Sequence, residues 1–146
     1  MIKLTLPIDT SSYDYKFQKN LNEDVKLVSD EYGKYDLDMD NGDYINITGN
    51  NSLQNAIIIA ILTRFNELKN VTYENFGCRV HDLIKDGKTK LTKYKLEVDI
   101  LETLEQMRRI HQVNWIKITE NDAHSYLVKF NVTSINDEIV DGSVTL

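Results

Sequence analysis

The sequence predicts an α+β domain, helices packed on a mainly antiparallel sheet. Three observations carry this. The run from Leu53 to Phe65 is apolar nearly all the way round a helix, which marks a buried one. A second stretch, Lys93 to about Ile110, repeats apolar residues with helical period. After it, Tyr126, Val128, Phe130 and Val132 alternate with a period of two, as in a strand with one buried face.

Taken in order, residues 1–35 read as an N-terminal extension and residues 36–146 as the α+β domain. The extension is polar and mixed. Leu4, Leu6 and Ile8 alternate, as do Tyr13, Tyr15 and Phe17, so short strands are expected, packed on their own domain or on a neighbour. Asp36 to Asp43 invites a calcium reading that fails. An EF-hand loop needs glycine at its sixth position and glutamate at its twelfth, where this chain has Asn41 and Ile47. A β-hairpin fits instead: Leu37 and Met39 point to one face while the aspartates point to water, Asn41-Gly42 makes the turn, and Tyr44 to Thr48 returns with Ile45 and Ile47 facing the core. The buried central helix follows, capped by Ser52 or Asn51. Its apolar core stops at Leu62, short of the roughly 18 residues that would suggest a membrane span.

Arg79 to Ile84 reads as a short helix closed by Asp86-Gly87. Thr92 then caps the second long helix. One face of it carries Tyr94, Val98, Leu101, Leu104 or Glu105, and Met107 or Arg108, widened by Leu96 and Ile100, with Arg108 and Arg109 in the last turn. C-terminal antiparallel strands complete the domain: Asn114 to Thr119, Tyr126 to Val132, a turn at Asn136-Asp137, and Glu138 to Leu146 with a bulge or tight turn at Asp141-Gly142.

Bulk properties exclude several functions. The 146 residues carry a net charge of −6 and their basic residues are scattered, so no footprint for nucleic acid is expected. Cys78 is the single cysteine, which fits a reducing compartment and a small buried residue rather than a nucleophile. His81, His111 and His124 are far apart and lack ligand partners at zinc spacing, so no metal is expected. No glycine-rich phosphate loop suggests a cofactor. The N-terminal residues lack the apolar run of a signal peptide, so the sequons at Asn46, Asn70 and Asn131 read as products of an Asn-rich composition.

A polar signature follows the central helix that core packing alone does not require: Thr63-Arg64-Phe65-Asn66-Glu67, then Tyr73-Glu74-Asn75-Phe76-Gly77. Thr63, Arg64 and Glu67 crowd a helix exit, where carbonyl groups lack partners. Arg64 and Glu67 are read either as an internal clamp on the turn or as a pair offered to a neighbouring subunit. With the acidic hairpin before it, the whole run resembles the sheath-initiator family of contractile-tail baseplates, wedge proteins of contractile phages, tailocins and type VI secretion machines. That family runs from a D-G-D hairpin through Q-A-I opening a helix and L-T-x-x-G-E to P-x-F/Y-G. Here Gln54, Ala56, Ile57, Leu62, Thr63, Glu67, Phe76 and Gly77 match in order, over a resemblance that spans residues 36–146. Asn66 stands where glycine is usual, and the proline is missing. Asparagine tolerates the left-handed conformation that glycine would supply.

The resemblance implies a structural baseplate component of a virion, assembled in the host cytoplasm, present in several copies around a ring, and without catalysis. Its partners would be other wedge proteins, the tail sheath protein and the tail tube or hub, with no nucleic acid and no membrane. Partner-binding or structural residues are then Thr63, Arg64, Glu67, Phe76 and Gly77. Ile139, Val144 and Leu146 are candidates for sheath contact, in a terminal strand read either as an edge or as an inner strand. The alternative is a lysozyme-like glycoside hydrolase, a label this family has sometimes carried. It needs two carboxylates about 5 to 10 Å apart across a cleft. Among the 23 acidic residues none is set in apolar surroundings by its local sequence, with Glu67 the nearest candidate.

Overall fold

The apolar run at the centre of the chain does form a helix, and the rest of the structure packs around it. A computed structural model describes residues 23–31, 34–71, 75–121 and 125–146. The expected alternating strands at Leu4 to Ile8 and Tyr13 to Phe17 lie outside the described residues, as do Tyr73, Glu74 and His124. The fold is α+β.

The N-terminal described residues form a three-armed β structure. β1 (Glu23–Val25) and β2 (Leu27–Ser29) lead in. β2 pairs with β3 (Tyr35–Leu37), β4 (Met39–Asp40) with β5 (Asp43–Tyr44), and β6 (Asn46–Thr48) returns onto β1, all antiparallel. The arms meet at a closed triangle of backbone bonds. Lys26 N donates to Ile45 O (2.7 Å), Ile45 N to Asp38 O (3.2 Å) and Asp38 N to Lys26 O (2.8 Å). A Lys26–Asp38 ion pair of 2.9 Å braces the same point. Residues 23–29 of the expected extension are therefore woven into the domain's own strands.

The Asn41-Gly42 turn forms with both φ positive, 51° and 80°, as a two-residue hairpin of this hand requires. The return strand is split: β5 stops at Tyr44, and the residues after Ile45 pair with β1. Leu37 and Met39, expected on the face turned away from the water-facing aspartates, are 44% and 54% exposed. β4 and β5 make their main contacts with each other, so Met39 has no core to face.

α1 (Gly49–Leu62) begins earlier than its expected cap. β6 feeds directly into it through Thr48, which makes no side-chain cap bond, and Ser52 is buried inside the helix. Leu53, Ile57 and Ile61 are fully buried, whereas Ile59 is 39% exposed. Each such buried side chain stabilises the fold by about 1.5–3 kcal/mol. Buried Asn55 donates to Val25 O (2.6 Å) and ties the helix to β1.

α2 (Val80–Leu83) runs into a 3-10 turn, Ile84–Asp86, that ends at Gly87 with φ 87°. α3 (Lys90–Glu105) starts three residues before the expected Lys93, because Thr89 rather than Thr92 is the cap: its Oγ accepts from Thr92 N at 3.1 Å. It ends at Glu105, and Arg108 and Arg109 lie in the turn beyond it rather than in its last turn. The buried row is Thr92, Leu96, Ile100 and Leu104. Tyr94, expected on the core face, is 65% exposed, so the helix is turned away from that expectation.

β7 (Ile110–Glu120), β8 (Tyr126–Ser134) and β9 (Ile139–Thr145) form an antiparallel sheet in the order β7-β8-β9. Tyr126, Val128, Phe130, Val132, Val140 and Val144 make its core face, against which the helices pack, α1 on β9 and α3 on β7. The register shifts lie in β7, around His111 and Asn114, and not at Asp141-Gly142. Gly142 answers a packing need instead: a Cβ there would sit 2.7 Å from Phe130 Cζ.

Candidate functional site

The last carbonyls of α1 need partners, and the signature residues supply them. Thr63 donates to Ile59 O twice, from its amide (2.9 Å) and its hydroxyl (2.7 Å). His81 Nε2 lies 3.1 Å from Ile61 O. Beyond the helix, segment 63–67 is stitched to segment 75–78. Cys78 N donates to Thr63 O (2.8 Å), Phe65 N to Cys78 O (3.1 Å) and Asn66 N to Phe76 O (2.9 Å). The Asn66 side chain accepts from Asn75 N at 2.6 Å. Asn66 does adopt the left-handed conformation, with φ 61°.

Glu67 closes the turn on the backbone. Its carboxylate accepts from Arg64 N at 3.1 Å, while its own amide donates to Arg64 O at 3.0 Å. The Arg64 side chain is exposed and the carboxylate bonds the Arg64 amide, so the clamp works through the amide. Gly77 is the tightest position. Its φ is 106°, and a Cβ would lie 2.5 Å from Arg64 O and 2.8 Å from Thr63 O. Phe76 is half-buried beside it.

These segments and α3 enclose a cleft of about 380 Å³ lined by Phe65, Gly77, Arg79, Asp99, Glu102 and Thr103, among others. The Arg79 guanidinium stacks 4.0 Å from the Phe65 ring centre, a cation–π contact. Burial, then the neighbouring Glu102, push the Asp99 carboxyl above the usual carboxylate range, and Arg79 opposes them. Burial pushes the Cys78 thiol up as well, which keeps it out of the thiolate form a nucleophile needs. The sequence marks Asp99 and Glu102 only by a spacing of three on a helix. Among the described residues no three His, Cys, Asp or Glu side chains converge as a metal set.

The sheath-contact candidates lie elsewhere, on β9 and just beyond it at Leu146; among the described residues β9 pairs with β8 on one side only and forms a sheet edge. Ile139 is 67% exposed, Val144 is buried, and Leu146 is half-buried against the core. Leu146 and Tyr126 exchange both backbone bonds at 2.9 Å. Alternation along the ladder then bonds Val144 to Val128 and turns the backbone of Ile139, Asp141, Ser143 and Thr145 outward. Two of those outward carbonyls are already taken. Gln54 Nε2 donates to Asp141 O (2.7 Å) and the Tyr35 hydroxyl to Ser143 O (2.5 Å). Burial raises the pKa of Tyr35, which keeps it a donor. The Asn50 amide similarly reaches the Glu138 carboxylate. No protein-family model matches this chain, and no curated protein matches it either.

Proposed function

We infer that this chain is a structural wedge component of a contractile-tail baseplate, one that holds its neighbours and nucleates the sheath. The observation that supports this reading most is the use made of the residues that carry the resemblance. Thr63, Glu67 and Gly77 fix the path of the chain out of α1, and Gln54 ties α1 to the C-terminal strand. They form one scaffold linking the buried helix to an edge strand, as an assembly role needs. Asn66 keeps the left-handed turn where the family pattern has glycine.

The β9 edge is the surface on which a sheath strand would add. Its outward amides form one half of a ladder, and an incoming strand gains about 1 kcal/mol per bond, multiplied by the copies around a ring. Exposed Ile139 meets such a strand directly, while Val144 and Leu146 hold β9 to the core. The test is electron microscopy of contractile particles assembled with and without this chain. Without it, tubes should stand on baseplates bare of sheath. Fully sheathed tails in its absence would remove the function.

One observation favours the lysozyme-like alternative: the raised Asp99 carboxyl beside Glu102 in a cleft. The two sit three residues apart on a single helix and so on one wall, whereas glycoside hydrolysis needs carboxylates flanking the bond. The purified chain is expected to release no reducing ends from peptidoglycan. Release that disappears in Asp99→Asn would establish the hydrolase instead.

A further inference from the structure

α3 carries two apolar stripes, and the core uses only one. Opposite the buried row, Leu91, Tyr94, Val98 and Leu101 follow one another at spacings of three, four and three, the a/d rhythm of a coiled-coil seam. Leu91 and Tyr94 are 61% and 65% exposed, and Val98 and Leu101 are half-buried. Trp115, 48% exposed on β7, borders a groove of about 210 Å³ with Leu101 and Glu97, which widens the apolar surface at that end.

The charges on this helix are completely segregated. Lys90, Lys93 and Lys95 come first; Glu97, Asp99, Glu102 and Glu105 follow. This runs against the helix dipole, which favours acids at the start and bases at the end. Pairs within the helix do not account for it. Lys93–Glu97 and Lys95–Asp99 have the weaker order for a spacing of four, and Lys93 is bonded to Glu120 at 3.2 Å. A sequence that departs from a local rule in this way has a reason outside the helix.

We propose that α3 is a self-association surface, on which a second copy of this chain docks its own α3 in antiparallel orientation. Stacking the seam antiparallel sets Leu91 on the partner's Leu101 and Tyr94 on the partner's Val98. The flanking positions then complement each other: Lys90 faces the partner's Glu97 and Lys95 faces the partner's Glu102, each pair twice by symmetry. A parallel pairing would oppose Lys90 to the partner's Lys95 and Glu97 to the partner's Glu102, so the charges select one orientation. The partner's Leu91 reaches the groove beside Trp115. Because α3 is already folded on its own core, docking orders little chain. This inference does not depend on the baseplate reading.

Sedimentation velocity of the purified chain tests it. The wild type should be a dimer in concentration-dependent exchange with monomer, weakening as salt screens the pairs. Tyr94→Glu, at an exposed position, should melt like the wild type and sediment as a monomer. An acidic chain (Lys90→Glu with Lys95→Glu) and a basic chain (Glu97→Lys with Glu102→Lys) should each be monomeric alone and form a heterodimer when mixed. The four changes together in one chain should restore the homodimer. A wild type still monomeric at about 1 mM, or a dimer indifferent to Tyr94→Glu, would overturn the surface. Acidic and basic chains that stay apart on mixing would overturn the antiparallel charge register.

Discussion

Gly77 occupies a backbone conformation closed to other residues and also lacks room for a side chain. Its neighbours there are carbonyl oxygens of Thr63 and Arg64, which the α1 exit holds in place. Gly77→Ala should therefore cost about 3 kcal/mol or more in urea unfolding. Gly49→Ala is the control. Gly49 has φ 61° but nothing within 4 Å of a Cβ, so the loss should be only about 1 kcal/mol. Asp99 is legible only through its surroundings. Burial, with Glu102 adding to it, holds its folded carboxyl above the ordinary carboxylate value, so the folded state holds the proton more tightly than the unfolded one. The stability this gives is present below the unfolded pKa and is lost as pH rises through the folded one. Asp99→Asn should accordingly raise the melting temperature at pH 7, with the gain vanishing in acid below the usual carboxylate range. The left-handed Asn66 follows from asparagine's own chemistry and could be read in advance. The need for glycine at position 77 depends on a backbone thirteen residues earlier and could not.

At the scale of elements, α1 shows what composition reveals and withholds. Its all-round apolarity marks burial, yet for that very reason says little about which side chain escapes. Ile61 is fully buried and Ile59 is 39% exposed. Ile61→Asp should abolish cooperative unfolding, since an unpaired charge in the core costs several kcal/mol, comparable to the whole stability of such a domain. Ile59→Asp should still melt cooperatively within a few degrees of the wild type. β9 gives a second contrast between neighbours. Val144 N faces β8, so Val144→Pro should unfold the sheet and reports nothing about the edge. Ser143 N faces outward, so Ser143→Pro should fold and, if the proposed baseplate function holds, enter baseplates and fail to start sheath polymerisation. Normal sheathed tails from that variant would take the β9 edge out of the mechanism.

At the scale of the molecule, the three-armed β structure is attached to the C-terminal sheet by a hydroxyl. Tyr35→Phe removes the bond to Ser143 O across 108 residues of sequence and uncovers that carbonyl. Proteolysis within residues 34–45 should quicken while the global melt stays nearly unchanged, because the core cluster is untouched. The sequence by itself determined the local conformations: the Asn41-Gly42 turn, the left-handed Asn66, the burial of α1, the alternation of β8 and the α+β class. Each depends on residues within a turn or two of one another. Only the tertiary structure decided that α3 buries Leu96 and Ile100 rather than Tyr94, because the helix has two apolar stripes and its periodicity does not rank them. It alone split the described residues between 23 and 48 into three arms, and it alone bonded two outward carbonyls of β9 to Gln54 and Tyr35. Those outcomes rest on partners 87 and 108 residues away, whose approach no local pattern encodes.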